Sequence, residues 1–142
     1  MALDADGEFT ELATGHGFAF ELEAPSLAAC LARAVEALAE SFADVHPSLA
    51  TRSHPVEIAG ATPSALLLGV LEECLRWARE GEVAVSFRGG VLTDGVLRGV
   101  LETVDARESG LHGAVPHVLS WHEVSIDDDP ASGTWRGRVI AR

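Results

Sequence analysis

Six histidines, two cysteines and a run of three aspartates are the side chains in this 142-residue chain whose types could do chemistry. His16 stands between Gly15 and Gly17. That setting could bring an imidazole to a ligand, and it equally suits a turn before a strand. His112, His117 and His122 follow one another at intervals of five residues. On a regular strand His117 and His122 point to opposite faces and cannot share one metal ion. A zinc site needs three or four converging ligands. Cys30 and Cys74 sit among apolar neighbours in helix-like segments and read as small buried thiols. Asp127, Asp128 and Asp129 open like a calcium loop, but Gly133 falls seventh and the twelfth position is Arg138, so the run reads as a solvated turn. Gly89, Gly90 and Gly95 form no phosphate loop, because the chain has no lysine to complete one. Ser120 and His122 would lie on one strand face and cannot meet as nucleophile and base. These residues by themselves define no catalytic centre.

The elements that must position them follow from periodicity. Residues 17–24 alternate, with Phe18, Phe20 and Leu22 on one face and Glu21 and Glu23 on the other, which predicts a strand. Ser26 is an N-cap for a helix whose apolar stripe runs through Leu27, Cys30, Leu31, Ala34, Val35, Leu38 and Phe42, closed by His46-Pro47. Residues 52–58 form a short strand, and Pro55 places it at a sheet edge or a bulge. Thr62-Pro63 starts a second helix, which runs to Arg79 and stops at Gly81. From residue 83 the period is two. A strand over 83–92 is broken at Gly89-Gly90, Asp94-Gly95 makes a hairpin turn, and 96–104 returns. Residues 105–114 read as a loop, 118–126 as a strand, 127–133 as a turn and 135–141 as the last strand. The order β-α-β-α-β-β-β-β predicts a single α+β domain, with two helices packed on a mainly antiparallel sheet. Residues 1–12 read as a polar tail and 13–142 as the domain.

Charge narrows the partners. Twenty-two acids against ten bases, all arginine, give −12. Nucleic-acid affinity rests largely on cations that displace counterions from phosphates, so direct RNA or DNA binding is not expected. Anionic membranes are disfavoured on the same ground. The longest apolar run, residues 65–71, is far short of the about 20 residues of a membrane-spanning helix. The acidic start does not suit a secretory signal, and the expected location is cytoplasmic. A protein partner or a metal cation suits this charge.

The whole pattern resembles the archease family over about Thr14 to Arg142. The resemblance is carried by the helix opening at residues 25–35 after a strand, by Ser41-Phe-Ala-Asp-Val45, and most clearly by Gly113-Ala-Val-Pro-His-Val-Leu-Ser-Trp-His-Glu-Val124. An acidic turn and Trp135-Arg-Gly-Arg-Val-Ile140 follow. The resemblance implies a small acidic partner of the RNA ligase of tRNA splicing and RNA repair. Such a protein helps the ligase become guanylylated and turn over, with a divalent metal involved, and acts like a chaperone on RNA methyltransferases.

The resemblance also marks a functional face. The family's His-Thr-Ala-Asp motif falls on Thr14-Gly15-His16-Gly17, so Gly17 takes the place of its aspartate. His117 takes the place of the family's functional lysine, and Arg142 that of its C-terminal aspartate. His16 and Asp44 are nearby candidates. Hard divalent cations need oxygen donors, which glycine and arginine do not supply. No cofactor is therefore expected on these positions. His16 and His117 together would suit a softer transition metal. The expected function is that of a non-enzymatic accessory of an RNA ligase. The alternative is an archease-like protein-binding or chaperone-like module without the ligase role. An independent metal-dependent hydrolase would need converging acids or histidines that the sequence does not assemble.

Overall fold

Ser26 is extended (φ −146°, ψ 162°), and its side chain accepts a hydrogen bond from the Ala29 N–H at 3.1 Å, which fixes where the first helix begins. Thr62 does the same for the second, accepting from the Ala65 N–H at 3.1 Å, with Pro63 in the first turn. The computed structural model describes residues 8–11, 18–41, 43–44, 51–107, 110–111 and 121–141. In chain order the elements are β1 (Glu8–Glu11), β2 (Phe18–Ala24), α1 (Leu27–Glu40), β3 (Ala43–Asp44), β4 (Arg52–Ala59) and α2 (Pro63–Arg79). They continue with β5 (Glu82–Thr93), β6 (Val96–Asp105), β7 (Gly110–Leu111), β8 (Trp121–Asp129) and β9 (Thr134–Ala141).

The strands form a four-stranded sheet in the order β1-β2-β9-β8, a three-stranded sheet in the order β4-β6-β5, and the short pair β3-β7. Every pairing is antiparallel. The α+β class and the two helices are as the sequence predicts, but the expected single sheet is divided into two larger antiparallel sheets and the short β3-β7 pair. Both helices touch both of the larger sheets: α1 packs on β2, β9 and β5, and α2 on β8, β4 and β5. One apolar core is therefore shared. Phe20, Leu31, Val35, Leu67, Leu71, Leu101 and Val139 are among its buried side chains. The close approach of α2 to β4 needs a glycine, since a Cβ on Gly69 would lie 2.5 Å from Ile58 Cγ2. At the other sheet, Ser64 Oγ accepts the Ile126 N–H at 3.1 Å and ties α2 to the edge strand β8.

Several expectations change in detail. Pro55 does lie on an edge strand, β4. The hairpin at Asp94-Gly95 has positive φ at both residues (52° and 76°), as a type I′ turn requires. The break foreseen at Gly89-Gly90 is instead a bulge inside one continuous strand, with the register shifting between Arg88 and Val91. The polar tail of residues 1–12 contains β1, paired along β2. The loop of residues 105–114 contains β7. The aspartate run is not the turn: Asp127–Asp129 complete β8, opposite Arg136, Trp135 and Thr134. The first helix ends earlier than expected, at Glu40 with Ser41 as its C-cap, because the chain turns into β3 at Ala43–Asp44; Phe42 and His46-Pro47 themselves lie outside the described residues.

Candidate functional site

The five positions that the family resemblance marks fare unequally. Gly17, His16, His117 and Arg142 lie outside the described residues. Asp44 lies in β3, opposite Gly110 of β7. Described residues next to two of the others do pair: Phe18 of β2 faces Ala141 of β9, and Trp121, the first residue of β8, faces Ala141 from the other side. The starts of β2 and β8 and the end of β9 thus share one end of the four-stranded sheet. A bulge sits there, because Trp121 pairs with Ala141 and Glu123 with Ile140, leaving the exposed His122 as the extra residue. His112 and Ser120 lie outside the described residues.

Trp121 also borders a cleft of about 500 Å³ along α2, where Glu72, Glu73, Arg76 and Arg79 form the charged wall. Their spacing puts all four on one side of the helix. Arg76 Nε donates to Glu73 Oε1 at 3.1 Å, so part of that charge is satisfied within the helix.

The richest described polar cluster is one that the sequence reading did not single out. It closes the end of the three-stranded sheet under the C-terminal turn of α2. Thr103 of β6, fully buried, donates its hydroxyl to Glu82 Oε1 of β5. His54 Nε2 of β4 lies 3.0 Å from the same oxygen and 3.1 Å from Thr103 Oγ1. With the Thr103 proton committed to Glu82, Nε2 carries a proton and donates it. The imidazole stacks on Trp77 of α2, with centroids 3.7 Å apart and planes at 19°. Arg76 Cζ sits 4.8 Å from the Trp77 ring centroid. Arg52 reaches both carboxylates, at 3.5 Å from Glu82 and 3.9 Å from Asp105. Burial alone would raise Glu82, but the hydrogen bonds from Thr103 and His54, together with the charges of His54 and Arg52, hold it below the usual carboxylate value. Hydrogen bonds from the Arg107 side chain and backbone bring Asp105 down to about 2.

This cluster joins α2 to all three strands of the sheet. Its hydrogen bonds are spent inward on one another, as in a structural clamp. The signal that could have found it is the alternation His54, Val56, Ile58, which puts His54 on the inward face of β4. Glu82 and Thr103 give no such signal, because they reach His54 only through pairings 28 and 49 residues apart.

Among the described residues no three His, Cys, Asp or Glu side chains converge as metal ligands. Cys30 and Cys74 are buried and free. Burial pushes the Cys30 thiol up to about 12 and raises Cys74 beyond the ordinary thiol range, so neither is a reactive thiolate. No described helix is long and apolar enough to cross a membrane.

The fold and the pattern define a small α+β protein built from two helices and two antiparallel sheets, a class that known proteins share. A family model of the Archease protein family (MTH1598/TM1083) matches residues 17–141, and the chain belongs to that family. A crystal structure of an archease described as a possible chaperone, from Thermotoga maritima, aligns with a TM-score of 0.61 and 14% identity, covering 92% of this chain and 93% of that one. The solution structure of protein 1598 from Methanobacterium thermoautotrophicum aligns with a TM-score of 0.55 and 17% identity, covering 95% and 96%. No curated protein sequence matches the chain.

Proposed function

We propose that this chain is a non-enzymatic accessory protein that docks on an RNA-processing enzyme, an RNA ligase in the first instance, and promotes its turnover. Membership of the archease family over residues 17–141 carries this reading. The net charge of −12 supports it, because an acidic accessory is suited to a basic enzyme surface and not to the RNA itself. The partner-facing positions in this reading are Gly17, His117 and Arg142, with His16 and Asp44 beside them. Their side chains do not fit a hard divalent metal, since Gly17 offers no donor and Arg142 is a cation. The proposed promotion of turnover therefore does not run through a metal bound on these positions.

The test is multiple-turnover RNA ligation by the ligase of the same organism, with and without a substoichiometric amount of this protein. The expected result is a higher number of turnovers per ligase, unchanged when the accessory protein alone is stripped with chelator before mixing. Flat turnover with an active ligase overturns the reading. A second reading, a chaperone-like module without the ligase role, is favoured by one observation: the Thermotoga maritima relative of the same fold is described as a possible chaperone. Flat ligation together with suppressed aggregation of an RNA methyltransferase would select it.

A further inference from the structure

The four charged side chains that wall the cleft beside α2 do not all stand alike. Arg76 and Glu73 pair with each other, and Arg76 also lies over the Trp77 ring. Glu72 and Arg79 are exposed and make no ion pair among the described residues. They are seven residues apart, which is two helical turns. Both therefore lie along one line of the helix, about 10 Å from each other. One unpaired anion and one unpaired cation face the cleft at a fixed spacing.

The other wall is Trp121, the first residue of the edge strand β8. Ser64, near the start of α2, holds Ile126 of that strand. The cleft lies away from this contact, between Trp121 and the C-terminal half of α2. Leu75, almost fully buried, lines it as well. Trp121 and Leu75 supply apolar surface, and Glu72 and Arg79 supply one charge of each sign. A cleft so lined can hold a segment in one register, which a uniformly acidic surface cannot.

We propose that this cleft receives one amphipathic helix of the partner enzyme, running antiparallel to α2; the inference rests on the accessory role proposed above. Charge and spacing select the occupant. A helix brings the same face round every seven residues, so an acid and a base seven residues later meet Arg79 and Glu72 turn for turn. The antiparallel direction puts the partner's acid towards its own N-terminus and its base towards its C-terminus, as its dipole favours. A parallel helix would need the reverse order. An apolar side chain between the two charges reaches Trp121 and Leu75 and anchors the helix. A second copy of this chain is the poorer occupant. It presents the same concave wall and no ridge to fill it, and it adds a second charge of −12.

Titration calorimetry of the full chain with the RNA ligase of the same organism tests this. Glu72→Arg and Arg79→Glu, both at exposed positions, are each expected to weaken binding about five- to tenfold. The double exchange keeps the net charge, puts both signs in the wrong place, and is expected to weaken binding about thirtyfold or more. Raising the concentration of a variant restores the stimulation of turnover, because the cleft supplies affinity. Hydrogen exchange of the complex is expected to protect one helical segment of the ligase that carries an acid and, seven residues on, a base. No binding by the parent chain overturns this inference and the accessory role together. Binding that the exchanges leave unchanged overturns the inference alone, and so does protection confined to loops or strands of the ligase. A second copy in the cleft would overturn it too, and has its own signature. Each single exchange would weaken self-association, and the double exchange would restore it, since position 72 of one copy would again meet its opposite charge at position 79 of the other.

Discussion

Trp77 carries the clearest single-residue prediction. Its ring stacks on His54 and lies under Arg76, yet its indole Nε1 is buried without a hydrogen-bond partner. The ring therefore stabilises the clamp and the N–H does not. Trp77→Phe keeps a stacking surface and removes an unsatisfied donor, and is expected to change stability by less than about 1 kcal/mol. Trp77→Ala removes the stack as well and is expected to cost about 3 kcal/mol. Urea unfolding of the two variants checks the contrast; equal losses would mean that the indole N–H matters more than the ring. At this scale the sequence was legible where a residue acts on its own neighbours. Ser26, Thr62 and Asp94-Gly95 set caps and a turn within three residues of themselves, and all are as expected. His54 was not legible as a clamp residue, because its partners come from strands that only folding brings alongside. The marked functional positions came from the family resemblance and not from any local rule, and of the five only Asp44 lies among the described residues.

Elements long enough to show a period were legible, and shorter ones were not. The seventeen residues of α2 and the ten of β6 repeat their patterns several times. The pairs β3 and β7 have two residues each and show no period at all. Asp127–Asp129 misled for a different reason. Acids in sequence suggest a turn, but beside β9 they lie in register with a strand that supplies Arg136, and cross-strand charge makes a polar strand end stable. The division into two sheets was likewise hidden, since alternation says which face is buried and not which strands are neighbours. One consequence of the actual pairing can be measured. Gly99 of β6 lies under the ring of the buried Phe87, and a Cβ there would fall 2.6 Å from Phe87 Cε1 and 3.0 Å from the Arg88 carbonyl oxygen. Neither the packed ring nor the backbone can give way cheaply. Gly99→Ala is expected to cost about 1 to 3 kcal/mol. Ser53→Ala on the outward face should stay within about 0.5 kcal/mol of the parent. A lowered denaturation midpoint for the first variant alone confirms the packing; no difference between them would mean that β5 and β6 are looser than their register implies.

At the scale of the whole molecule, two electrostatic effects act in opposite directions as pH falls. Near neutrality the chain carries −12, and self-repulsion of that charge works against the compact state. Acidification towards the isoelectric point of about 4.7 relieves it, so stability rises. Against this stand the carboxylates that the fold holds below their ordinary values. Asp105 is at about 2 when folded, against about 3.9 in an unfolded chain. Glu82 and Asp129 are lowered as well, Asp129 mainly by hydrogen bonds from Ser132 and Ala131. A depressed folded value means that the unfolded state binds protons first. The stability from these groups is present in full above about pH 5 and is lost as pH falls from about 4 towards 2. The two effects cross near pH 5. The thermal midpoint is therefore expected to be highest there, lower at pH 7 and lowest below pH 3. Scanning calorimetry across this range separates the causes. Added salt should raise the midpoint at pH 7, where repulsion dominates, more than at pH 5. Asp105→Asn should flatten the fall between pH 4 and pH 2, because an amide beside Arg107 and Arg52 has no proton to gain. A midpoint that climbs steadily up to pH 7 would show instead that paired carboxylates, and not net charge, govern this fold over the whole range.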